Sequence, residues 1–81
     1  MSSMFISVTS VQTLQDFLLR ITFNNGEVKI FDMKPYLDIG IFKDLKEERI
    51  FNTAKVNFDT VEWENDADID PETLYHGSIK E

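Results

Sequence analysis

Between Phe17 and Asn24 apolar and polar residues alternate, with Phe17, Leu19, Ile21 and Phe23 set against Leu18, Arg20, Thr22 and Asn24. A period of two marks a strand with one apolar face. Asn25-Gly26 follows, the dipeptide a type I′ turn favours because both central residues need positive φ. A return strand over Glu27–Asp32 is predicted. A two-residue loop sets its register: Asn24 opposite Glu27, Phe23 opposite Val28, Ile21 opposite Ile30, with both apolar pairs on one face. Phe31 then opposes Arg20 and points away from Ile30, either starting a second apolar face beneath helices or belonging to a dimer contact. The β-branched run Phe5–Val11 adds a third strand. Its weaker alternation places it at an edge, where pairing across a two-fold axis would make a homodimer.

Beyond Asp32 the period changes. Lys34 precedes Pro35, and a residue before proline avoids helical angles, so a short helix is predicted over Pro35–Ile39, stopped by Gly40. A second covers Phe42–Phe51, with Phe42, Leu45 and Phe51 inward and Glu47, Glu48 and Arg49 solvated. Val56-Asn57-Phe58 and Val61-Glu62-Trp63-Glu64 alternate again as two short strands, with Val61 and Trp63 inward and Glu62 and Glu64 outward. Asp70-Pro71-Glu72 is a helix start, with Asp as N-cap, Pro in the first turn and an acid beside the positive end of the dipole. Leu74 and Tyr75 fold back onto the core, and Gly77 ends the helix. The order is β-β-β, short helices, β-β, short helix. Segregated strands and helices favour an α+β fold, a small antiparallel sheet with helices packed on one face. Residues 1–81 make one domain, with an ordered core over residues 5–76.

The composition narrows the chemistry. The chain has 81 residues, 42% of them hydrophobic, with no Cys and one His. Disulfides, thiolate zinc sites and cysteine nucleophiles are excluded, as is a multi-histidine metal site within one chain. No run approaches the ~18 apolar residues of a membrane span. Met1–Met4 lacks the basic start and apolar stretch of a signal peptide, so the expectation is cytoplasmic, with no membrane. The net charge of −7 is uneven. Residues 1–26 are neutral and residues 27–50 carry −1, while residues 51–81 hold eight acids against two bases, a net of −6. Such a patch repels phosphate backbones and favours basic partners. The plainer reading is that it keeps a small protein soluble.

Few motifs invite catalysis. Asp66-Ala67-Asp68-Ile69-Asp70 has the opening spacing of a calcium loop, but that loop needs Gly at position six and an acid at position twelve. Pro71 and Gly77 stand there instead. The same acids in a polar turn lack the cleft that general acid–base chemistry requires. His76 has Ser78 nearby but no G-x-S-x-G elbow, and reads as a surface residue or a helix C-terminal cation. Trp63 reads as core; exposed, it would be an interface anchor. With no basic stripe and no stacking platform flanked by bases, direct nucleic-acid binding is not expected, nor is a cofactor or metal.

The order of motifs carries a resemblance. Phe23-Asn24-Asn25-Gly26-Glu27-Val28 leads to Phe31-Asp32-Met33. Tyr36-Leu37, Gly40-x-Phe42-x-x-Leu45 and Phe51 follow. The chain closes with Val61-x-Trp63 and then Ala67-Asp68-Ile69-Asp70-Pro71-Glu72-x-Leu74-Tyr75. Over roughly residues 5–75 this resembles the bacterial family catalogued as domain of unknown function 2442. The resemblance implies an α+β fold and supplies no catalytic residues. Trp63, Asp68, Pro71, Leu74 and Tyr75 match its closing signature, in roles the residues themselves make structural. Some members add a helix-turn-helix domain, the basis of a DNA-binding label. This sequence ends at Glu81 without one, so the expectation is that it lacks the reader. Members are often encoded beside another small protein, which prompts a toxin–antitoxin suggestion.

Two functional readings follow. The first is a non-catalytic protein-interaction module, antitoxin-like, binding the product of an adjacent gene through Glu62, Glu64, Asp66 and Asp68. The alternative is a nucleic-acid-associated transcriptional regulator, by analogy with the helix-turn-helix members.

Overall fold

The structure, a computed structural model, describes residues 5–81. Met1–Met4, on which the reading of a leaderless start rests, lies outside them. Strand β1 (Val8–Leu14) turns tightly through Gln15–Phe17 into β2 (Leu18–Phe23), which pairs antiparallel with β3 (Val28–Asp32). β1 lies at the edge of its sheet.

The β2–β3 register differs from the one the Asn-Gly dipeptide suggests. The Phe23 amide donates to the Glu27 carbonyl at 2.9 Å, and the Gly26 amide donates to the Phe23 carbonyl at 2.9 Å. The loop is therefore three residues long, Asn24 to Gly26, with Gly26 at φ +88°, the geometry of a type I turn closed by a glycine bulge. Ile21 now faces Lys29 and Leu19 faces Phe31, while Arg20 faces Ile30 and Thr22 faces Val28. The expected pairs Phe23–Val28 and Ile21–Ile30 do not form. One residue of slip turns β3 over, because side chains alternate strictly between faces. Phe31 enters the core at 1% exposure, and Val28 and Ile30 join Arg20 and Thr22 on the other face. Asn24 helps fix the longer loop. Its side-chain amide donates to the Phe5 carbonyl at 2.7 Å, and its Oδ1 accepts from the Ser7 amide at 3.2 Å.

The segment after β3 winds more tightly than the expected helices. A 3₁₀ turn over Lys34–Tyr36 replaces the helix over Pro35–Ile39, and Gly40, at φ +49°, begins a second 3₁₀ run over Gly40–Lys46. Extended ψ at Glu47 (116°) breaks the run before the one-turn helix α1 (Glu48–Phe51). Phe42 and Leu45 suit this winding, since residues three apart eclipse on a 3₁₀ helix. Leu45 and Phe51 are buried and Phe42 is half-buried.

The later strands do not extend the first sheet. β4 (Lys55–Asn57), β5 (Thr60–Glu62) and β6 (Asp68–Ile69) form a separate antiparallel sheet in the order β4-β5-β6. The fold is α+β and mostly β, with two small sheets where the alternation suggested one. The Phe58–Asp59 turn joins β4 to β5, and its Asp59 carbonyl accepts from the Val8 amide at 3.0 Å, tying the sheets together. β6 is two residues long and too short to show a period.

Helix α2 (Pro71–Gly77) begins where expected. Asp70 caps it, accepting from the Thr73 amide at 3.1 Å and the Thr73 hydroxyl at 2.6 Å. The chain then returns to the first sheet as β7 (Ile79–Lys80), antiparallel to β3, giving the order β1-β2-β3-β7. Nothing in the hydropathy pattern announced it.

One apolar cluster serves both sheets. Leu19, Ile21, Phe23 and Phe31 come from the first sheet, Val61 and Ile69 from the second, and Leu74 from α2. Aromatic rings run through it from Phe31 to Tyr36, Phe42, Trp63, Phe51 and Phe17, with successive centroids 5.2–6.4 Å apart.

Candidate functional site

The four acids singled out as a partner-binding surface all belong to the second sheet and its turn. Glu62 on β5 lies between Lys55 of β4 and Asp68 of β6 in the register. Like charges directly opposite each other on adjacent strands are destabilising, so the Glu62–Asp68 juxtaposition is not there for the stability of the sheet. Glu62 is half-buried and accepts from the Asn57 side-chain amide. Glu64 and Asp66 stand exposed in the turn between β5 and β6. Asp66 adopts φ 74° there, its amide bonded to the Trp63 carbonyl at 3.0 Å. None of the ion pairs among the described residues uses an acid from residues 59 to 72. Four cations pair with acids elsewhere, Lys46 with Asp38, Lys34 with Asp32, Lys80 with Glu27 and Arg20 with Glu81, which leaves Lys55, opposite Glu62, as the cation beside this region.

Trp63 lies beneath this surface rather than on it. It is 1% exposed, and its indole N–H donates to the Phe51 carbonyl at 2.9 Å. A buried Trp needs a partner for that donor; here the bond fastens the second sheet to the end of α1. Asn65 does similar work from the turn, donating to the Ile41 carbonyl at 3.2 Å and to Asp44 at 3.3 Å.

Asp68 also borders a cleft of about 300 Å³ with Tyr36, Phe42, Ile69, Asp70 and Thr73. Its walls are aromatic and aliphatic, and its charged groups are both carboxylates. Hydrogen bonds from the Thr73 side chain and backbone hold the Asp70 carboxyl below the usual aspartate range. Tyr36 and Phe42 come from the 3₁₀ segment, some thirty residues before Asp68, and the sequence offered no periodic signal that the two would meet.

A second polar group joins the two ends of the fold. The Tyr75 hydroxyl donates to Glu27, which also accepts from the Asn25 side-chain amide at 3.2 Å. These bonds, that from Tyr75 foremost, lower the Glu27 pKa; the same contact with Glu27 raises that of Tyr75.

Trp63 is thus buried beneath the second sheet, Asp68 borders the cleft, and Pro71, Leu74 and Tyr75 lie on α2. The chain matches the family model described as "Protein of unknown function (DUF2442)" over residues 8–80. It belongs to that family. No curated protein and no solved structure matches it.

Within this DUF2442 chain the remaining chemical candidates are dispersed. His76 is exposed in the last turn of α2, its ring edge-on to Tyr75 at 5.5 Å. The Ser78 hydroxyl donates to the Leu74 carbonyl, not to His76. The three aspartates of the calcium-like spacing separate, Asp66 to a turn, Asp68 to a strand and Asp70 to a helix cap. Among the described residues no group of three or more His, Cys, Asp or Glu side chains is placed to hold a metal ion. No helix among them is long and apolar enough to cross a membrane.

Proposed function

We propose that this chain is a non-catalytic protein-interaction module, antitoxin-like in acting on a partner protein, and that it binds a basic partner through the acidic second sheet. The observation that carries this reading is the opposition of Glu62 and Asp68 across β5 and β6, in a region where Lys55, opposite Glu62, is the adjacent cation and where no ion pair among the described residues uses an acid. A surface that forgoes stability to keep like charges together gains when a positive partner covers it, because complementary potentials speed encounter and fix orientation. Three polar groups near the chain's closing helix are committed to structure: Asp70 to a cap, Ser78 to a helix carbonyl, Glu27 to Tyr75.

The test is capture of the adjacent gene's product by the whole chain and by a Glu62→Gln, Glu64→Gln, Asp66→Asn variant. Capture by the native chain and its loss with the variant is the expected result. No capture, or capture indifferent to the substitutions, overturns the reading. The same preparation should leave duplex DNA unshifted at low salt, where a phosphate-binding protein would hold it most tightly.

A further inference from the structure

The acidic surface opens beside the cleft between Tyr36, Phe42 and Ile69, and the two features are complementary. A volume of about 300 Å³ is at the lower end of the ~300–1,000 Å³ that small-molecule sites span, the size for one long side chain rather than a cofactor. Apolar and aromatic walls suit a side chain with a flat or aliphatic body, and carboxylates at the rim suit a positive end. Asp68 is exposed and takes part in no ion pair among the described residues. Asp70 gives two of its acceptor positions to Thr73, and a carboxylate has about four. Arginine meets these demands best. Its planar guanidinium stacks on aromatic faces and forks onto carboxylates at once, while the lysine ammonium, though drawn to a ring face, is compact, strongly hydrated and meets a carboxylate only as a point charge.

We infer that this cleft receives an arginine side chain of the partner protein, its guanidinium against Tyr36 and Phe42 and paired with Asp68 at the rim. The inference rests on the reading of the acidic sheet as a partner-binding surface and adds the anchor to it. Glu62, Glu64 and Asp66 then supply the surrounding field, and the aromatic cleft supplies selectivity among cations.

The experiment titrates the isotope-labelled full chain with three short peptides of alternating glycine with arginine, lysine or citrulline, read by NMR. The arginine peptide should shift Tyr36, Phe42 and Ile69. The lysine peptide should bind several-fold more weakly, and the citrulline peptide should not bind. Asp68→Asn, an exposed change that leaves the core intact, should weaken the arginine peptide about 10-fold, the scale of one charged contact. Tyr36→Leu should reduce the preference for arginine over lysine, with a thermal melt confirming that the variant folds. Equal binding of the arginine and lysine peptides, or indifference to Asp68→Asn, overturns the cleft assignment. If binding survives Asp68→Asn and Tyr36→Leu but is lost with Glu62→Gln, Glu64→Gln and Asp66→Asn, the cleft assignment fails and the acidic-surface reading stands. If no basic peptide binds, both fail.

Discussion

The Lys29 ammonium donates to the carbonyl oxygen of Tyr75 at 2.9 Å and lies 3.8 Å from the centroid of that residue's ring. Lys29 sits on the core side of β3, opposite Ile21, a position where a lysine looks misplaced. Its stem lies along the apolar surface, while its head reaches the last turn of α2, where backbone carbonyls are unpaired and the dipole favours a cation. The residue that disturbs the alternation of β3 is the one that docks the helix.

Lys29→Met keeps the stem and removes the charge. A hydrogen bond from a charged group contributes about 1.5–3 kcal/mol, and partial exposure reduces that, so a loss of about 1–2 kcal/mol is expected. In a domain of this size each kcal/mol lowers Tm by roughly 4–8 °C. Urea denaturation of the variant beside the native chain measures it. An unchanged midpoint would mean that the other contacts of α2, those of Leu74 and Tyr75 among them, hold it without Lys29.

Glu27 and Tyr75 make a pH-dependent contact between the same elements. Glu27 is lowered in the folded state chiefly by the Tyr75 hydroxyl, then by the Asn25 amide. A depressed carboxylate contributes stability that is fully present above its unfolded pKa, about 4.3 for glutamate, and is lost as pH falls through the folded value. The stability difference between the native chain and Glu27→Gln should therefore be constant from neutral pH down to about 5 and shrink below about 4. Tyr75→Phe should move the Glu27 titration, followed by NMR of the carboxyl carbon, back toward the ordinary glutamate range. A Glu27 midpoint unmoved by Tyr75→Phe would sink the assignment.

Gly77 touches Phe31 closely enough to exclude a side chain. A Cβ built there would lie 2.8 Å from Cε1 of the Phe31 ring, which is buried and stacked on Tyr36 at 5.5 Å. Alanine ordinarily stabilises a helix position by about 1 kcal/mol over glycine. Here overpacking, typically ~1–3 kcal/mol, should reverse the sign. Gly77→Ala is expected to lower stability, and Phe31→Leu in the same chain to recover part of that loss in a double-mutant cycle. A stabilised Gly77→Ala would show that the helix end stands further from the sheet.

What the sequence made legible were the elements whose local chemistry was unambiguous: the strand through Leu19, Ile21 and Phe23, the Asp70-Pro71 helix start, and the inward setting of Val61 and Trp63. The failures share a physical origin. Asn-Gly suits a two-residue turn, but it serves equally in a three-residue loop when Asn24 is held by Phe5 and Ser7, a tertiary contact that no local pattern encodes. β6 and β7 are two residues each and exist because a partner strand is already in place. Of the candidate site, the charge was readable from composition. The cleft was not, since Tyr36 and Phe42 reach Asp68 only through the packing of both sheets.

The turn between β4 and β5 is built from residues that its conformation disfavours. Phe58 and Asp59 adopt φ of 50° and 70°, the two positive values of a type I′ hairpin, where Asn-Gly is the preferred pair. A left-handed residue costs roughly 1–2 kcal/mol for a side chain without a local hydrogen bond, and Phe58, 91% exposed, recovers none of it by packing. Replacing the pair by Phe58→Asn and Asp59→Gly should therefore raise stability, by about 1 kcal/mol after the added backbone entropy of glycine is deducted. The backbone bond from the Val8 amide to the carbonyl of residue 59 is retained, so the sheets remain tied. Thermal unfolding of the double variant is the measurement. A fall in Tm would mean that the Phe58 ring packs in the folded chain and that the turn is not strained at its tip.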